Sequence, residues 1–502
     1  MTYTIGIDLG TSAVKVALLG ADGSVTATAS RPVALHRPGP GQAEQDPWAY
    51  LDAAEAGVAD TLTKAGVGPH DVAAIGIDGQ MGGALAVDAS LAPLTPWYPS
   101  ALDLRYRPFQ ARLDARAPRR VVVELSGADP ILAPWILRWA EQLPAWPDVR
   151  KVTLLGSWLA AQWGGATVDE VTIDASYLTW TGLADTKRRQ WSDELIQAVG
   201  ITPELLPRVE ESHTIIGKLT KEAANRCGLA QGTPIINGTG DQIAGFVGAG
   251  CTHVGQAIDV TGTFPVFAVA VDRYIPDPDV GMLRPIAGPG SLWYVMTFIA
   301  GGGLTWAWLD EHLARPGDQR ELLDVPPGCE GLIALPHFQG RACPDEPEQR
   351  GAFVGLSWHH GAAHLRRAVL EAFGYEQELT LQRIRDVAPE LEVAAVSAIG
   401  GRHTGKVSHR IKASITGLPY LHAPGDAGFA AARGAAVLAA FGVGATASLD
   451  AMAPAAPTSD AEMPIAAWRD PYRRGLERYR STMEALRPVF RASFIDGTDT
   501  AS

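Results

Sequence analysis

Apolar and polar positions alternate at the start of the chain, and this pattern predicts strands interrupted by one helix. Alternation over residues 3–7 indicates an opening strand, and residues 13–19 read as a strand that returns beside it. Residues 25–30 can add a third strand. Apolar side chains then recur at helical spacing over residues 51–62, and residues 72–77 return to strand character. The first segment is therefore predicted to contain three strands, a helix and a further strand.

The second half of the chain repeats this plan in a weaker form. Residues 257–263 predict a strand, and residues 266–271 predict a strand that returns from it, as in the opening hairpin. The 502 residues exceed what a single hydrophobic core usually serves. We therefore expect two domains, residues 1–245 and 246–490, followed by a disordered tail at residues 491–502.

The composition is ordinary for a soluble enzyme, with 46% hydrophobic and 19% charged residues. The net charge of -13 argues against nucleic acid or an anionic membrane surface as the main partner. No stretch of about 18 uncharged apolar residues occurs, and the N-terminus lacks a basic segment followed by an apolar run, so we expect a cytoplasmic protein. The 4 cysteines are widely spaced and form no C-x-x-C pair, which suggests neither a zinc site nor a disulfide framework.

The turn between the first two predicted strands has the residues of a phosphate-binding hairpin. Gly10 allows backbone N–H groups to approach an anion closely, and Thr11 and Ser12 add hydroxyl donors. Asp8 supplies a carboxylate that suits Mg²⁺, usually through water. Chaperone-type ATPases, actin-like filaments and several sugar kinases share this pattern, and a plain glycine-containing hairpin also fits it.

A second candidate for chemistry follows a short buried strand at residues 234–237. Asp241 and Gln242 come among glycines, as expected of a carboxylate presented in a cleft. Asp241 also suits the cap of a helix that begins just after it, and the two roles are compatible. In the second half of the chain, Gly262 and Thr263 form a candidate second phosphate hairpin that faces the first.

A longer pattern in the chain resembles the FGGY family of carbohydrate kinases and, within it, the xylulose-kinase branch. Its most specific part is residues 351–356, followed by seven residues and then residues 364–371, which match the family's second signature position for position. Residues 44–47 resemble the family's E-Q-D-P segment, residues 79–81 its G-Q-M loop, and residues 240–241 its catalytic G-D pair. The resemblance covers nearly the whole chain.

The resemblance implies an α/β fold of two actin-like ATPase (ribonuclease H-like) domains, with sugar and ATP meeting in the interdomain cleft. The implied cofactors are ATP and Mg²⁺. In the implied reaction, Asp241 is the general base toward the acceptor hydroxyl, and Asp8 holds Mg²⁺ through water. The residues expected to contact the nucleotide are Gly10, Thr11, Ser12, Gly262, Thr263, Gly302, Gly303, Gly400 and Gly401.

The residues on the sugar side leave the identity of the acceptor open. The expected sugar contacts are Gln80, Met81, Asp103, Arg105 and Gln242. Met81 could instead be a core residue, and Asp103 could form a surface ion pair with Arg105. Gly82 stands where xylulose kinases typically have histidine, and Gln242 resembles glycerol-type members. We expect a ketopentose such as D-xylulose, with another ketose, a polyol or a sugar acid as alternatives.

Other classes of function are alternatives to an active kinase. An actin-fold chaperone or filament protein needs only the opening hairpin, and a sugar-sensing pseudokinase is compatible with the altered adenosine segment after Gly401. The expected partner is a small sugar, with a homodimer possible and with no nucleic acid or membrane. Because the matched signature makes His364 a helix-start residue, we do not expect a metal site at His359, His360 and His364.

Overall fold

The computed structural model describes residues 2–95, 98–99, 102–262, 265–312, 320–400, 405–422, 427–453 and 461–498. In chain order, the strands of the first half are β1 (Tyr3–Leu9), β2 (Ala13–Leu19), β3 (Val25–Pro32), β4 (Glu44–Gln45), β5 (Val72–Gly79), β6 (Leu85–Val87), β7 (Tyr98–Pro99), β8 (Lys151–Thr153), β9 (Thr172–Ile173), β10 (Ala184–Asp185), β11 (Gln190–Trp191), β12 (Arg208–Val209), β13 (Ile215–Lys218), β14 (Pro234–Ile236) and β15 (Thr239–Gly240). Those of the second half are β16 (Ala257–Thr261), β17 (Val266–Val271), β18 (Arg284–Ala287), β19 (Trp293–Phe298), β20 (Ile333–Leu335), β21 (Ala352–Val354), β22 (Val396–Gly400) and β23 (Tyr420–His422).

The α-helices follow the same division. The first half contains α1 (Pro47–Ala65), α2 (Arg107–Asp114), α3 (Arg119–Ser126), α4 (Leu132–Gln142), α5 (Leu155–Gly164), α6 (Asp193–Val199), α7 (Lys221–Cys227) and α8 (Asp241–Gly248). The second half contains α9 (Gly302–His312), α10 (Glu321–Asp324), α11 (Ala362–Val387), α12 (Lys406–Thr416), α13 (Ala430–Gly442) and α14 (Arg469–Thr498).

Two large sheets share one arrangement of strands. The order in the first sheet is β13-β14-β5-β1-β2-β3, with β15 beside β5, and the order in the second is β18-β19-β17-β16-β22-β23. β1 pairs antiparallel with β2 and parallel with β5, and β16 pairs in the same way with β17 and β22. The repeat predicted from the sequence is therefore confirmed as a repeated strand topology.

Local sequence explains the bounds of the first helix. Asp46 accepts a hydrogen bond at 2.9 Å from a backbone N–H of the first turn, where Pro47 needs no partner for its missing N–H. Gly66 ends α1 in the left-handed conformation, with a φ of 64°. The prediction that Asp46 caps this helix and that Pro47 is its first residue is confirmed, and the helix continues to Ala65, beyond the last predicted apolar position at Leu62.

Helix α13 connects the two halves of the molecule through close backbone contact. It belongs to the second half of the chain, yet it packs against β1, β2 and β5 of the first sheet and against α8. A Cβ atom at Gly6 would lie 1.8 Å from the Ala432 oxygen, and one at Gly434 would lie 1.8 Å from the Ala244 oxygen. Only glycine fits either position.

The C-terminal segment is more ordered than the sequence predicted. Helix α14 extends to Thr498, so residues 491–498 are helical where we expected a disordered tail, and residues 499–502 lie outside the described residues. The helix is anchored earlier along its length by the buried side chains of Tyr472 and Tyr479, and its backbone hydrogen bonds continue from there. Within the described part of the chain, no helix is long and apolar enough to cross a membrane.

Candidate active site

Three carboxyl groups meet at the carboxyl ends of neighbouring strands in the first sheet. Asp8 on β1 lies directly opposite Asp78 on the parallel strand β5. On the other side of β5, Thr239 of β15 lies opposite Asp78, and Asp241 follows two residues later at the start of α8. The charges of Asp8 and Asp241 both act on Asp78, so the three acids form one cluster. Ligands of open α/β sheets bind at this edge.

Burial and mutual repulsion raise the pKa of these carboxyl groups. Desolvation, followed by the like charge of Asp8, raises the pKa of Asp241 to about 7. Burial also raises the pKa of Asp8, while the charge of Lys15 acts in the opposite direction. Burial and the charges of Asp8 and Asp241 hold the pKa of Asp78 well above its usual range. A carboxyl group that titrates near neutral pH is suited to general-base work.

Sequence reasoning did not identify Asp78 as a site residue. Its side chain is fully buried, and neither carboxylate oxygen accepts a hydrogen bond from an N–H or hydroxyl group of the described residues. The sequence contained a signal, because Asp78 ends a predicted strand directly before the G-Q-M loop at residues 79–81. What could not be read from the sequence was the register that places it beside Asp8.

A buried network fixes the strand that leads into Asp241. Ser176 Oγ accepts a hydrogen bond from the Gly240 N–H at 2.9 Å, and the Thr239 hydroxyl donates to Asp174 Oδ2 at 3.1 Å. Ser176 also donates to the other oxygen of Asp174. Burial raises the pKa of Asp174 to about 7. These contacts hold the backbone immediately before Asp241, so they set the direction of its side chain.

Asp241 is also part of a helix terminus, which was the alternative interpretation of its sequence context. The N-cap residue of α8 is Gly240, and Asp241 is the first residue of the helix. Its Oδ1 accepts a hydrogen bond from the Gln242 N–H at 2.8 Å. The helix N-terminus stabilises a carboxylate in this position. The position at the helix terminus therefore coexists with membership of the carboxyl cluster.

The first predicted phosphate hairpin lies between β1 and β2 and is tied to the sugar side by hydrogen bonds. Gln45 Nε2 donates to the Thr11 oxygen at 2.7 Å, and the Tyr50 hydroxyl donates to the Gly10 oxygen at 3.1 Å. Gln80 Nε2 donates to Gln45 Oε1 at 3.0 Å and to the Tyr50 hydroxyl at 2.9 Å. Side chains from β4, α1 and the end of β5 therefore hold the hairpin backbone.

The second predicted hairpin is described in part, because Thr263 and Gly401 lie outside the described residues. Gly262 follows β16 and has open space around the position of a Cβ atom. Gly400 on β22 lies opposite Thr261, with a φ of 142°, and a Cβ atom there would lie 2.3 Å from the Thr261 oxygen. Only glycine allows these two strand ends to lie side by side.

The remaining predicted nucleotide residues lie at hairpin tips and at a helix start. Gly302 and Gly303 begin α9, and a Cβ atom at Gly302 would lie 2.7 Å from the Pro265 side chain. Ser12 is exposed and Thr11 is half-buried, so both hydroxyl-bearing residues of the first hairpin are accessible. Glycines and hydroxyl donors of this kind can cradle phosphate oxygens.

Asp103 and Arg105 form a buried charged network and are not the surface ion pair weighed as an alternative. Arg105 Nη2 lies 2.6 Å from Asp103 Oδ2 and 2.5 Å from Glu44 Oε1. The Ala43 N–H donates to the same Asp103 oxygen at 3.0 Å. The Asp103 side chain is fully buried and the Arg105 side chain is 26% exposed. Because Glu44 belongs to β4, this network adjoins the strand that holds the first hairpin.

A cavity of about 210 Å³ opens beside this network. Two guanidinium groups approach one aromatic ring there, since Arg105 and Arg138 each lie 5.8 Å from the Trp135 ring centroid. The lining residues are Glu44, Thr95, Pro99, Arg105, Trp135, Arg138, Trp139, Gln142 and Leu143. An aromatic surface with a few convergent charged groups suits a small polar ligand.

Met81 and Gln242 lie next to the strand end that leads into Asp241. Met81 is buried, and a Cβ atom at Gly240 would lie 2.4 Å from its Cγ atom. Gln242 follows Asp241 in α8 and is partly exposed. The structure therefore brings Met81, Gln242 and the hydrogen-bonded Gln80 to the carboxylates, whereas Asp103 and Arg105 lie beyond β4.

The carboxylate set fits a magnesium ion. Mg²⁺ prefers oxygen ligands, and it usually keeps several waters while it binds one or two carboxylates. Asp8 is almost fully buried at the base of the first hairpin, and the Asp78 oxygens have no hydrogen-bond donor among the described residues. Asp8 remains the residue that we expect to hold the ion.

Taken together, two sheets of the same topology, a buried carboxylate cluster and flanking glycine hairpins define a two-domain phosphotransferase. Residues 3–248 match the N-terminal domain of the FGGY family of carbohydrate kinases, and residues 260–443 match its C-terminal domain. The chain belongs to this family, and the kinase prediction is confirmed. The opening hairpin is therefore part of a carbohydrate kinase and not of a chaperone or a filament protein.

Individual relatives agree with this assignment. Xylulose kinase from Escherichia coli (strain K12) is 30% identical over 501 residues, which cover 97% of this chain and 99% of that protein. Glycerol kinase from Citrifermentans bemidjiense is 29% identical over 88% of this chain and 91% of that protein. The crystal structure of xylulose kinase from Rhodospirillum rubrum superimposes with a TM-score of 0.87 at 26% identity, over 97% of this chain and 100% of that one. The two actin-like ATPase domains predicted from the sequence are confirmed.

Proposed function

We propose that this protein transfers the γ-phosphoryl group of ATP to a hydroxyl of a ketopentose such as D-xylulose. The observation that supports a transfer reaction is the position of Asp241, a carboxyl group with a pKa of about 7 at a helix start among two other buried acids. The ketopentose is supported by the similarity to the E. coli xylulose kinase over 97% of the chain. In this proposal residues 1–245 bind the sugar and residues 246–490 bind the nucleotide.

The residues of the chain have distinct parts in the proposed reaction. Asp241 accepts the proton of the acceptor hydroxyl as that oxygen attacks the γ-phosphorus. The bond between the γ-phosphorus and the oxygen that bridges it to the β-phosphate breaks, and ADP leaves with that oxygen. The backbone and hydroxyl groups of Gly10 and Thr11 donate to the phosphate oxygens, and Gly262 and Thr263 do the same from the facing hairpin. The metal, when bound, neutralises charge on the phosphates.

The sugar contacts extend from the catalytic carboxylates toward β4. Gln242 and Met81 flank the acceptor hydroxyl in this proposal, and Gln80 joins the sugar side to the first hairpin through its hydrogen bonds to Gln45 and Tyr50. Asp103 and Arg105 bind the hydroxyls at the far end of the sugar. Positioning of this kind converts binding into a favourable attack geometry.

A coupled ADP-release assay with Mg·ATP tests the proposal directly. The acceptors are a panel of pentuloses, hexuloses, polyols and sugar acids, each tested with the wild type and with Asp241→Ala. The matched control is Asp52→Asn, a change to an exposed acid on α1. Turnover on a ketopentose that is lost in Asp241→Ala and retained in Asp52→Asn supports the proposal. Equal turnover in wild type and Asp241→Ala would remove Asp241 from the mechanism.

A sugar acid is the second candidate acceptor, and the arginine-lined cavity is the observation that favours it. Arg105 is already paired with Asp103 and Glu44. Arg138 contacts Gln142 and the Trp135 ring and has no carboxylate partner among the described residues, so its charge is available to an anionic ligand. The same panel separates the two candidates: preferential turnover of sugar acids, lost in Arg138→Met, would replace the ketopentose.

A further inference from the structure

Four side chains that have no part in the proposed reaction converge on the surface of the second half of the chain. The group consists of Glu330, His359, His360 and His364, and we call it the histidine cluster. The donor atoms of Glu330, His359 and His360 all lie within 4.8 Å of one another. His359 Nε2 is 3.1 Å from Glu330 Oε2, and His364 Nε2 is 3.4 Å from the same oxygen.

Ser357 lies behind two of the imidazole rings. Its Oγ is 2.7 Å from Nδ1 of His359 and 3.5 Å from Nδ1 of His360. A metal-binding histidine usually donates its second ring N–H to a neighbouring oxygen, which directs the other nitrogen at the ion. A hydroxyl oxygen has two lone pairs, so Ser357 Oγ can accept from both rings.

His360 completes the group from the loop before α11. Its Nδ1 accepts the Ser357 N–H at 3.0 Å, which restrains the ring. The donor atom that His360 offers lies within 4.8 Å of those of Glu330 and His359, so one ion can reach all three residues.

The backbone around the histidine cluster is held firmly. The Gly361 N–H donates to His364 Nδ1 at 3.2 Å, so His364 caps α11 and presents its Nε2–H to Glu330. Glu330 itself has a φ of 51°, in a region that residues other than glycine rarely adopt. A Cβ atom at Gly355 would lie 2.9 Å from the Gly331 oxygen, so the two turns that carry the cluster touch.

We propose that Glu330, His359 and His360 bind a divalent transition-metal ion such as Zn²⁺, with Ser357 and His364 orienting them. Two imidazoles and a carboxylate are a ligand set for zinc and its neighbours, whereas Mg²⁺ prefers oxygen ligands alone. The ion joins the turn at residues 329–331 to the loop that starts α11. The prediction that His364 is a helix-start residue is confirmed, because His364 lies in the first turn of α11. The proposal replaces the expectation that His359 and His360 bind no metal.

Calorimetric titration of tag-free protein with Zn²⁺, and with Co²⁺ as a spectroscopic substitute, tests the proposal. The wild type should show one saturable site, and Glu330→Gln and His359→Ala should each weaken it by about tenfold or more. The matched control is His253→Ala, because His253 is exposed and pairs with Asp450, at 2.9 Å, outside the histidine cluster. This change should leave the affinity for Zn²⁺ unaltered.

Two further measurements separate a built site from loss of folding. Zn²⁺ should raise the thermal unfolding midpoint of the wild type and not that of Glu330→Gln, while both proteins unfold at the same temperature without metal. Affinity should fall as pH is lowered, because protons compete with the ion for the imidazole nitrogens. Absence of saturable binding at millimolar Zn²⁺, or equal affinity in wild type, Glu330→Gln and His359→Ala, would overturn the proposal.

Discussion

Both large sheets contain buried acids, but in the described part of the chain the acid of the second sheet is paired with a lysine and the acids of the first sheet are not. In the second sheet, Asp259 on β16 accepts a hydrogen bond from Lys412 Nζ at 2.6 Å, and both side chains are buried. In the first sheet, Asp8 and Asp78 face each other and Asp241, and none of the three forms an ion pair with another described residue. A paired buried charge supports structure, whereas unpaired acids are available to protons and cations.

The largest predicted effect is on catalysis, and it comes from the protonation or removal of the Asp241 carboxylate. With a pKa of about 7, the group is a base only above that pH, so kcat/KM should fall about tenfold per pH unit below it. Asp241→Asn should lower kcat on the order of 10²–10⁴-fold and remove the acid limb of the profile. Initial rates between about pH 5 and pH 9 measure both effects. An acid limb that persists unchanged in Asp241→Asn would assign it to another group.

Breaking the pair in the second sheet should affect folding more than chemistry. Lys412→Met leaves Asp259 as an unpaired buried charge, which should lower the free energy of unfolding by about 3–5 kcal/mol in urea titrations. The double variant with Asp259→Leu should recover most of the loss. The control is Glu141→Gln, which removes an exposed pair with Arg112 and should change stability by less than about 1 kcal/mol. Similar losses of unfolding free energy in Lys412→Met and Glu141→Gln would mean that burial does not make one ion pair more important for stability than the other.

Removing the third acid of the first sheet should stabilise the protein. The pKa of Asp78 is raised in the folded state, so its contribution to stability is lost as pH rises from the unfolded value near 3.8. Asp78→Asn removes this dependence and should raise the free energy of unfolding by about 1–3 kcal/mol, with a larger gain at alkaline than at acid pH. A gain that is independent of pH would show that the pKa of Asp78 is the same in the folded and the unfolded protein.

The smallest effect should come from the hydrogen bonds between the sugar side and the first hairpin. Gln45→Leu removes the 2.7 Å bond to the Thr11 oxygen and should lower kcat/KM for ATP roughly tenfold, because the hairpin is less well positioned. The control is Gln162→Leu, which removes a 3.0 Å bond to the Leu91 oxygen on a different face of the domain. Equal losses in the two variants would indicate a general effect on folding.

The parts of the site that were predicted from the sequence are those with local signals. The first hairpin and the glycine-flanked Asp241 depend on short motifs, and the structure brings both to one edge of the sheet. Asp78 was missed because its position depends on strand register, which joins residues 70 positions apart. The pairing of Lys412 on α12 with Asp259 on β16 was also missed, because the two residues are 153 positions apart in the chain. A local pattern contains no information on such pairs.

Sequence reasoning also gave no means to decide how exposed a charged pair is. We considered Asp103 and Arg105 as sugar contacts or as a surface ion pair. Asp103 is buried beside Ala43 and Glu44, which excludes the surface ion pair but not the sugar contact. The end of the chain shows the opposite error: we expected disorder because chain ends are often disordered, but a helix anchored by Tyr472 and Tyr479 continues to Thr498. In both places tertiary packing decided the outcome.

The close contacts of α13 have a consequence for how this protein tolerates mutation. Gly6 and Gly434 contact neighbouring backbone directly, and a single methyl group at either position would collide with a carbonyl oxygen. In a library of all single substitutions, these glycines should be as intolerant as Asp241, although neither bears a reactive group. An activity screen of such a library would therefore identify both the glycines at backbone contacts and the residues that act in the reaction. Only an assay of folding would separate the two groups.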